Sequence, residues 1–275
     1  MEGILKKFEI ELKENELAEN SIMQYMRDVR EYITFNNISN IADITKENLI
    51  TFKDYLVAKS KPATVNNKLV IINQFLVFIK LDNLKLKLLR IQNKSSVSDV
   101  MSVVDYERLK RTALRLKRIR TYYIMRTLAE TGIRIEELKY VSLEVVRKGT
   151  AQITNKKKIR DIVFSKELSK ELLKYCKENN IKEGLIFFGR NKEKVLNASG
   201  IWKELQYIAG QARVKKKKVH AHGFRHLFSK EFLKQNNNDL FTLADLLGHI
   251  SLETTRLYAK QSIFEQRKAL TGLYK

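Results

Sequence analysis

The pattern of hydrophobic positions predicts four helices over the first ninety or so residues. Apolar residues recur three or four positions apart, as on one face of a helix. Ser21 is predicted to open the second helix, Thr45 to cap the third, and Pro62 to begin the fourth, where its missing N–H costs nothing. The four stripes are Ile4, Leu5, Phe8 and Leu12; Ile22, Tyr25, Met26, Val29, Tyr32 and Ile33; Leu49, Phe52, Tyr55 and Leu56; and Val65, Leu69, Ile72, Leu76 and Ile79. They indicate the packed core of a helical bundle.

A fall in hydrophobicity over residues 91–100, where Ser, Asn and Asp gather, indicates a linker between two domains. We therefore expect a helical domain at 1–92, the linker at 93–101 and a second domain at 102–275.

The second domain has a mixed pattern. Helices are predicted near 105–116 and 119–130, and again from Lys166 onward. Between 141 and 163 the pattern changes to short β-rich runs, at 151–154 and 160–164.

Charge narrows the range of partners. The chain has 53 Lys and Arg against 31 Asp and Glu, a formal net charge of +22. Since so much positive charge repels itself, an anionic partner is the natural explanation, either nucleic acid or an acidic membrane surface. Arg27, Arg30, Asn66, Asn67 and Lys68 lie on polar helix faces, where they could contact phosphates or only solvent.

Cysteine content and the absence of long apolar runs bear on the compartment. Cys176 is the only cysteine, so no internal disulfide can form. The N-terminus lacks the apolar core of a signal peptide. The most apolar stretch, 69–79, is interrupted by Asn73 and Gln74 and is too short to cross a bilayer. We expect an intracellular, cytoplasmic protein without membrane contact.

All four histidines fall within the last sixty residues, which suggests a site. His222 and His226 are four apart, as on a zinc-binding helix. No Glu follows His222, however, and no further ligand cluster is evident, so a metal site is disfavoured.

Three short boxes carry more information. The first is TGIRIEEL, with Arg134 just past Gly132; the second is HGFRH, with His222 and Arg225; the third is LGHISLETTRLY, in which His249 precedes Tyr258 by nine positions. In this order and spacing they closely resemble the boxes of the tyrosine recombinase, or phage integrase, family in its two-domain, Xer-like form.

The resemblance covers essentially the whole chain and implies its architecture. The fold would be mainly α with a small antiparallel β-sheet. Residues 1–92 would be a helical, SAM-like core-binding domain that binds DNA, followed by a mixed α/β catalytic domain. The segments AENSIMQYMRDVREYI and ATVNNKLVIINQFLVFI are similar to the core-binding domain of the family.

The resemblance also implies an activity, which is site-specific cleavage and rejoining of DNA strands through a 3′-phosphotyrosine at Tyr258. Arg134 and Arg225 would clamp the nonbridging oxygens of the phosphate, which suits guanidinium groups that stay charged at working pH. A phenol has a pKa near 10 and needs help to ionise. By family analogy His222 acts on that proton and His249 hydrogen-bonds the phosphate.

A general acid must protonate the departing 5′ oxygen. The family uses a lysine in a β-hairpin turn, and the segment TNKKKIRDIVFS stands at the matching place. We favour Lys156, because the run resembles the Asn-Lys-Gly-Lys-x-Arg form of the family with Lys157 in place of the glycine. Lys157 and Lys158 stay open as alternatives. Glu137 is expected to support the first arginine, and His226 to steady the second.

The expected partner is double-stranded DNA, bound by a homotetramer on two paired sites that proceeds through a Holliday junction in the nucleoid. No cofactor is expected, since the phosphotyrosine conserves the energy of the broken bond, and no metal is expected, since side chains clamp the phosphate. The biological process could be integration or excision of a mobile element, or Xer-type dimer resolution. Two other functions stay open: DNA relaxation of the type IB topoisomerase kind, and non-catalytic DNA binding.

Overall fold

The computed structural model of the chain describes residues 1–91, 100–155, 158–189 and 196–248 together with Thr255, with backbone alone at 154, 155, 158 and 159. The chain divides into two compact units, Met1–Ser95 and Ser96–Lys275. The expected linker at 93–101 lies largely outside the described residues, so the proposed domain limits stay a prediction. Within the described part of the chain, no helix is long and apolar enough to span a membrane.

The first unit contains the four predicted helices: α1 (Glu2–Glu14), α2 (Glu19–Phe35), α3 (Lys46–Lys59) and α4 (Pro62–Phe78). Their apolar stripes meet in one core, in which the rings of Phe8 and Phe75 lie 5.2 Å apart, edge to face. The predicted stripes supply most of this core. Phe75, Ile71 and Ile38 also belong to it and were not among the predicted positions.

Local signals at the helix starts are confirmed in two cases and wrong in one. Thr45 caps α3 in a capping box with Asn48, and Pro62 occupies the first turn of α4. Ser21 does not open α2, which begins at Glu19 after an extended Ala18. The backbone N–H of Ser21 donates to the carbonyl of Ala18, so Ser21 already belongs to the first turn.

Two asparagines of α4 hold the chain segment that follows this helix. Asn73 exchanges two hydrogen bonds with the backbone of Leu86, of 2.9 and 2.8 Å, and Asn66 does the same with Leu89. Lys46 of α3 donates to the carbonyl groups of residues 84 and 85. Asn66 and Asn73 therefore satisfy partly buried backbone groups, as β-strand pairing would.

The second unit combines a helical core with one hairpin. Its helices are α5 (Val103–Arg115), α6 (Ile119–Thr131), α7 (Leu143–Lys148), α8 (Lys166–Glu178), α9 (Ala198–Gln211), α10 (Ala221–Gln235) and α11 (Leu240–Leu247), and its strands are β1 (Thr150–Asn155) and β2 (Lys158–Val163). A mainly helical fold with a small antiparallel sheet is thereby confirmed.

The helix α7 was not predicted, because its β-branched residues suggested a strand. Ser142 caps its start through the backbone N–H of Val145, and Gly149 ends it in the left-handed conformation at φ 79°. Two caps on six residues, together with burial of Leu143 and Val146, outweigh the β propensity.

The hairpin has a defined inner face. Ile153 pairs with Arg160 and Ala151 pairs with Ile162, and all four of these residues are buried. Strand alternation thus places one charged residue, Arg160, among apolar ones on the core side of the sheet.

Candidate active site

The first box begins where α6 ends. Gly132 takes the left-handed conformation, at φ 63°, and a Cβ there would lie 2.5 Å from the ring of Phe228. Only glycine satisfies both constraints. The turn leads into a 3₁₀ helix, Ile135–Tyr140, with Arg134 immediately before it. The Arg134 side chain is 40% exposed, so it can meet a ligand from solvent.

Glu137 holds Arg134 in two ways. Its carboxylate accepts the backbone N–H of Arg134 at 2.7 Å and the Nη1 group of the same residue at 3.1 Å. Burial opposes ionisation of Glu137, but hydrogen bonds from Arg160 and from the Arg134 backbone, with the charges of both arginines, keep its pKa below the ordinary value. The carboxylate is therefore ionised at neutral pH and supports Arg134, as expected.

Arg225 of the second box lies on α10 and is 1% exposed. Its Nη1 group donates to the carbonyl of Gly132 and its Nη2 group to the carbonyl of Leu247, both at 2.7 Å. These carbonyls end α6 and α11, where unpaired acceptors and the negative end of each helix dipole favour a cation. One guanidinium thus joins all three boxes.

The start of α10 is fixed by a histidine. His220 is its N-cap residue, and its Nδ1 accepts the backbone N–H of Gly223 at 2.9 Å. A Cβ on Gly223 would lie 2.8 Å from that nitrogen and would collide with the carbonyl oxygen of Lys218. The glycine of the second box therefore permits a close turn that carries His222 and Arg225 into place.

His222 lies at the surface of α10 and meets the ring of His226 edge to face, with 4.6 Å between ring centres. Partial burial, followed by electrostatic interaction with Arg225, His220 and Arg134, lowers the pKa of His222. His222 is therefore neutral at physiological pH and able to accept a proton. The influence of both arginines on its pKa also means that these three predicted residues lie close together.

Arg160 was missed by sequence reasoning and is the main addition from the structure. Its Nη2 group donates to Glu137 and its Nη1 group donates to the carbonyl of Leu246. The strand alternation could have identified it, because Arg160 falls on the same face as Ile162. A charged residue at a core position requires buried partners.

The remaining three predicted residues, Lys156, His249 and Tyr258, lie outside the described residues. In the third box, the structure describes Leu247, Gly248 and Thr255. Thr255 is fully buried. In the described ranges there is no group of three His, Cys, Asp or Glu residues arranged to hold a metal ion.

Comparison with known proteins identifies the family. The model described as "Phage integrase family" matches residues 95–263, more than half of the chain, and that described as "Phage integrase, N-terminal SAM-like domain" matches residues 5–83. The chain belongs to the phage integrase family. It is a tyrosine site-specific recombinase, and neither the topoisomerase-like function nor non-catalytic binding is favoured.

Named relatives extend over most of the recombinase. It is 25% identical to tyrosine recombinase XerD of Chlamydia pneumoniae, over 96% of this chain and 93% of the relative. It is 23% identical to tyrosine recombinase XerH of Campylobacter jejuni, over 87% of this chain and 73% of the relative. The expected Xer-like resemblance is thereby confirmed.

Solved structures agree on the fold of the recombinase. A XerH recombinase bound to palindromic difH superposes with a TM-score of 0.72 at 18% identity, covering 93% of this chain and 80% of the other. A lambda integrase dimer bound to a COC′ core site gives 0.73 at 15% identity, with 94% and 95% covered. At these identities the likeness concerns the fold alone.

Proposed function

We propose that this recombinase cleaves and rejoins double-stranded DNA at a specific site, through a 3′-phosphotyrosine at Tyr258. The observation that carries the proposal is the pair of hydrogen bonds by which Arg225 joins Gly132 to Leu247. Gly132 and Leu247 are 93 and 22 positions away from Arg225 in the sequence, and both contact its guanidinium. The charges of Arg225 and Arg134 both act on the pKa of His222. A shared phosphate is the ligand that two arginines and a neutral histidine fit best.

Arg134 and Arg225 have different parts in this scheme. Arg134 is accessible and is held by an ionised carboxylate, so it can bind a nonbridging phosphate oxygen on first contact. Arg225 is buried and already bonds two carbonyl groups. A phosphate reaches Arg225 only if the surrounding chain moves, which would make cleavage dependent on a DNA-induced rearrangement.

The proton transfers follow from the family resemblance and from the state of His222. Neutral His222 accepts the phenol proton of Tyr258, while His249 hydrogen-bonds the scissile phosphate. Lys156 then protonates the departing 5′ oxygen, with Lys157 and Lys158 as the other candidates. A lowered histidine pKa favours this role, since the base must be unprotonated at working pH.

The partner in this proposal is duplex DNA, in keeping with the net charge of +22. The XerH and lambda integrase structures named above are DNA complexes, which supports DNA as the partner here. We extend the proposal to a homotetramer that pairs two sites within the nucleoid. The biological process proposed is either Xer-type dimer resolution or integration and excision of a mobile element, since XerD and a lambda integrase are matched over similar shares of their length.

The proposal is tested by covalent trapping on a pooled library of nicked duplexes, analysed on denaturing gels and by sequencing the captured DNA. Wild type should form an adduct, Tyr258→Phe should form none, and Tyr207→Phe, which changes an exposed tyrosine of α9, should behave as wild type. An adduct with Tyr258→Phe would refute the nucleophile assignment. Tight binding without any adduct would refute the proposed activity.

Mixing two differently labelled captured sites then tests the site-specific reaction. Joining of the two labels at the captured sequence is expected for recombination. Relaxation of supercoiled plasmid at unrelated sequences, without joining, would instead support a topoisomerase.

A further inference from the structure

Arg160 is a buried cation that the proposed chemistry does not use. Its side chain is 7% exposed and lies on the inner face of the hairpin, paired across the sheet with Ile153. Its Nε group is buried and has no hydrogen-bond partner among the described residues, which is a cost to the folded state.

The contacts of Arg160 connect two parts of the site. One branch of the guanidinium donates to Glu137, which itself accepts two hydrogen bonds from Arg134. The other branch donates to the carbonyl of Leu246, at the end of α11. A lysine could not reproduce this geometry, because it offers a single point charge rather than a planar fork.

The third box is packed directly onto this arginine. Gly248 is left-handed at φ 62°, and a Cβ built there would collide with Cδ of Arg160 and lie 3.4 Å from its Cβ and Cγ. Leu246 and Leu247 present consecutive carbonyl groups to Arg160 and Arg225. Two guanidinium groups therefore fix the end of α11, two positions before His249.

We propose that Arg160 is a positioning residue of the recombination reaction: through Glu137 it orients Arg134, and through Leu246 it sets where the chain carrying His249 begins. The inference rests on the proposed function, since it assigns those residues to phosphate binding. A link of this kind acts on the rate of cleavage rather than on DNA affinity, because misplacement of reacting groups by about 1 Å can cost on the order of a hundredfold.

The test compares Arg160→Met and Arg160→Lys with Arg147→Met, which removes an exposed arginine of α7. Single-turnover cleavage of a captured, nicked duplex is measured at saturating protein, alongside DNA affinity and urea unfolding. We expect Arg160→Met to slow cleavage by about a hundredfold with affinity changed less than about threefold, Arg160→Lys to recover only part of the rate, and Arg147→Met to match wild type.

Two further measurements separate positioning from general damage. Hydrogen exchange of the free protein should quicken in α11 and in the segment 134–137 of Arg160→Met, and not in α8. Combined with Glu137→Gln, Arg160→Met should lose less activity than the product of the two single losses, because both act through one link.

The inference is overturned if Arg160→Met cleaves at the wild-type rate, or if its rate loss is matched by an equal loss of affinity or by global unfolding. Failure of the wild type to form an adduct would instead overturn the proposed function. In that case the exchange measurement still decides whether Arg160 holds α11, since unchanged exchange there refutes the link.

Discussion

Replacing Gly223 by alanine should destabilise the second unit, although the same substitution within a helix ordinarily stabilises. Gly223 lies in the first turn of α10, and it is not among the glycines at positive φ, so alanine can adopt its backbone conformation. Lower backbone entropy in the unfolded chain alone would favour alanine by about 0.5–1 kcal/mol. Whether the free energy of unfolding rises or falls therefore depends on the atoms that the new methyl group contacts.

The methyl group would lie 2.8 Å from Nδ1 of His220 and would collide with the carbonyl oxygen of Lys218. That oxygen belongs to the backbone of the 3₁₀ helix Lys216–Lys218, so it cannot move aside as the end of a flexible side chain could. Overpacking costs about 1–3 kcal/mol, and disturbing the His220 cap costs about 1 kcal/mol more. The net expectation is a loss of about 1–3 kcal/mol in the free energy of unfolding.

Gly200→Ala is the matched control. Gly200 lies in α9 of the same unit, and a Cβ there meets nothing within 4 Å. This variant should gain about 0.5–1 kcal/mol, so the two alanines should shift stability in opposite directions. Urea unfolding followed by the fluorescence of Trp202, the only tryptophan, and by circular dichroism measures both.

A Gly223→Ala protein as stable as wild type would refute the steric reasoning. Because α10 carries His222 and Arg225, the same variant should also cleave nicked duplex at least about tenfold more slowly. If the variant kept its stability but lost cleavage, the collision would have been relieved by a shift of α10.

Three further outcomes are expected. Asn73→Ala should lower the free energy of unfolding of the first unit by about 1–3 kcal/mol, because the backbone of Leu86 loses its two hydrogen bonds. Hydrogen exchange at residues 84–90 should also become faster. Asn67→Ala changes an exposed residue of the same helix and should alter neither the stability nor the exchange. Burial first, then neighbouring charges, lowers the pKa of His226 to about 4, so the unfolded chain binds more protons between pH ~6.5 and that value. Stability should therefore fall on acidification across this window by up to about 1.4 kcal/mol per pH unit, and His226→Asn should flatten the slope of urea midpoint against pH. Burial raises the pKa of Cys176 to about 11, so its thiol should resist a disulfide reagent at pH ~8 until urea unfolds the protein, and rapid labelling of the folded chain would contradict this.

Some of the predicted site residues lie in the part of the chain that the structure describes, and others do not. Glu137 was expected to support Arg134, and the structure shows two hydrogen bonds from Arg134 to its carboxylate. A contact between residues three positions apart is local, so it can be predicted from the sequence. Lys156, His249 and Tyr258 stay predictions, because they lie outside the described residues.

The sequence by itself determined the helices of the first unit, two of their starting signals, and the order of the three boxes. These follow from periodicity and capping, which act over a few residues, and from side chains whose chemistry is visible in the letters. The error at Ser21 has the same origin, because the sequence does not distinguish a serine within the first turn of a helix from a serine at the N-cap position.

Only the tertiary structure decided that Arg160 bridges Glu137 and Leu246, that Arg225 is buried against Gly132 and Leu247, and that Asn73 holds Leu86. In most of these contacts the acceptor is a backbone carbonyl. Every residue carries that group, so nothing in the sequence marks the one that a distant guanidinium or amide will bind. Which carbonyl lies within reach depends on where two helices end in space, and packing of the whole unit sets that position.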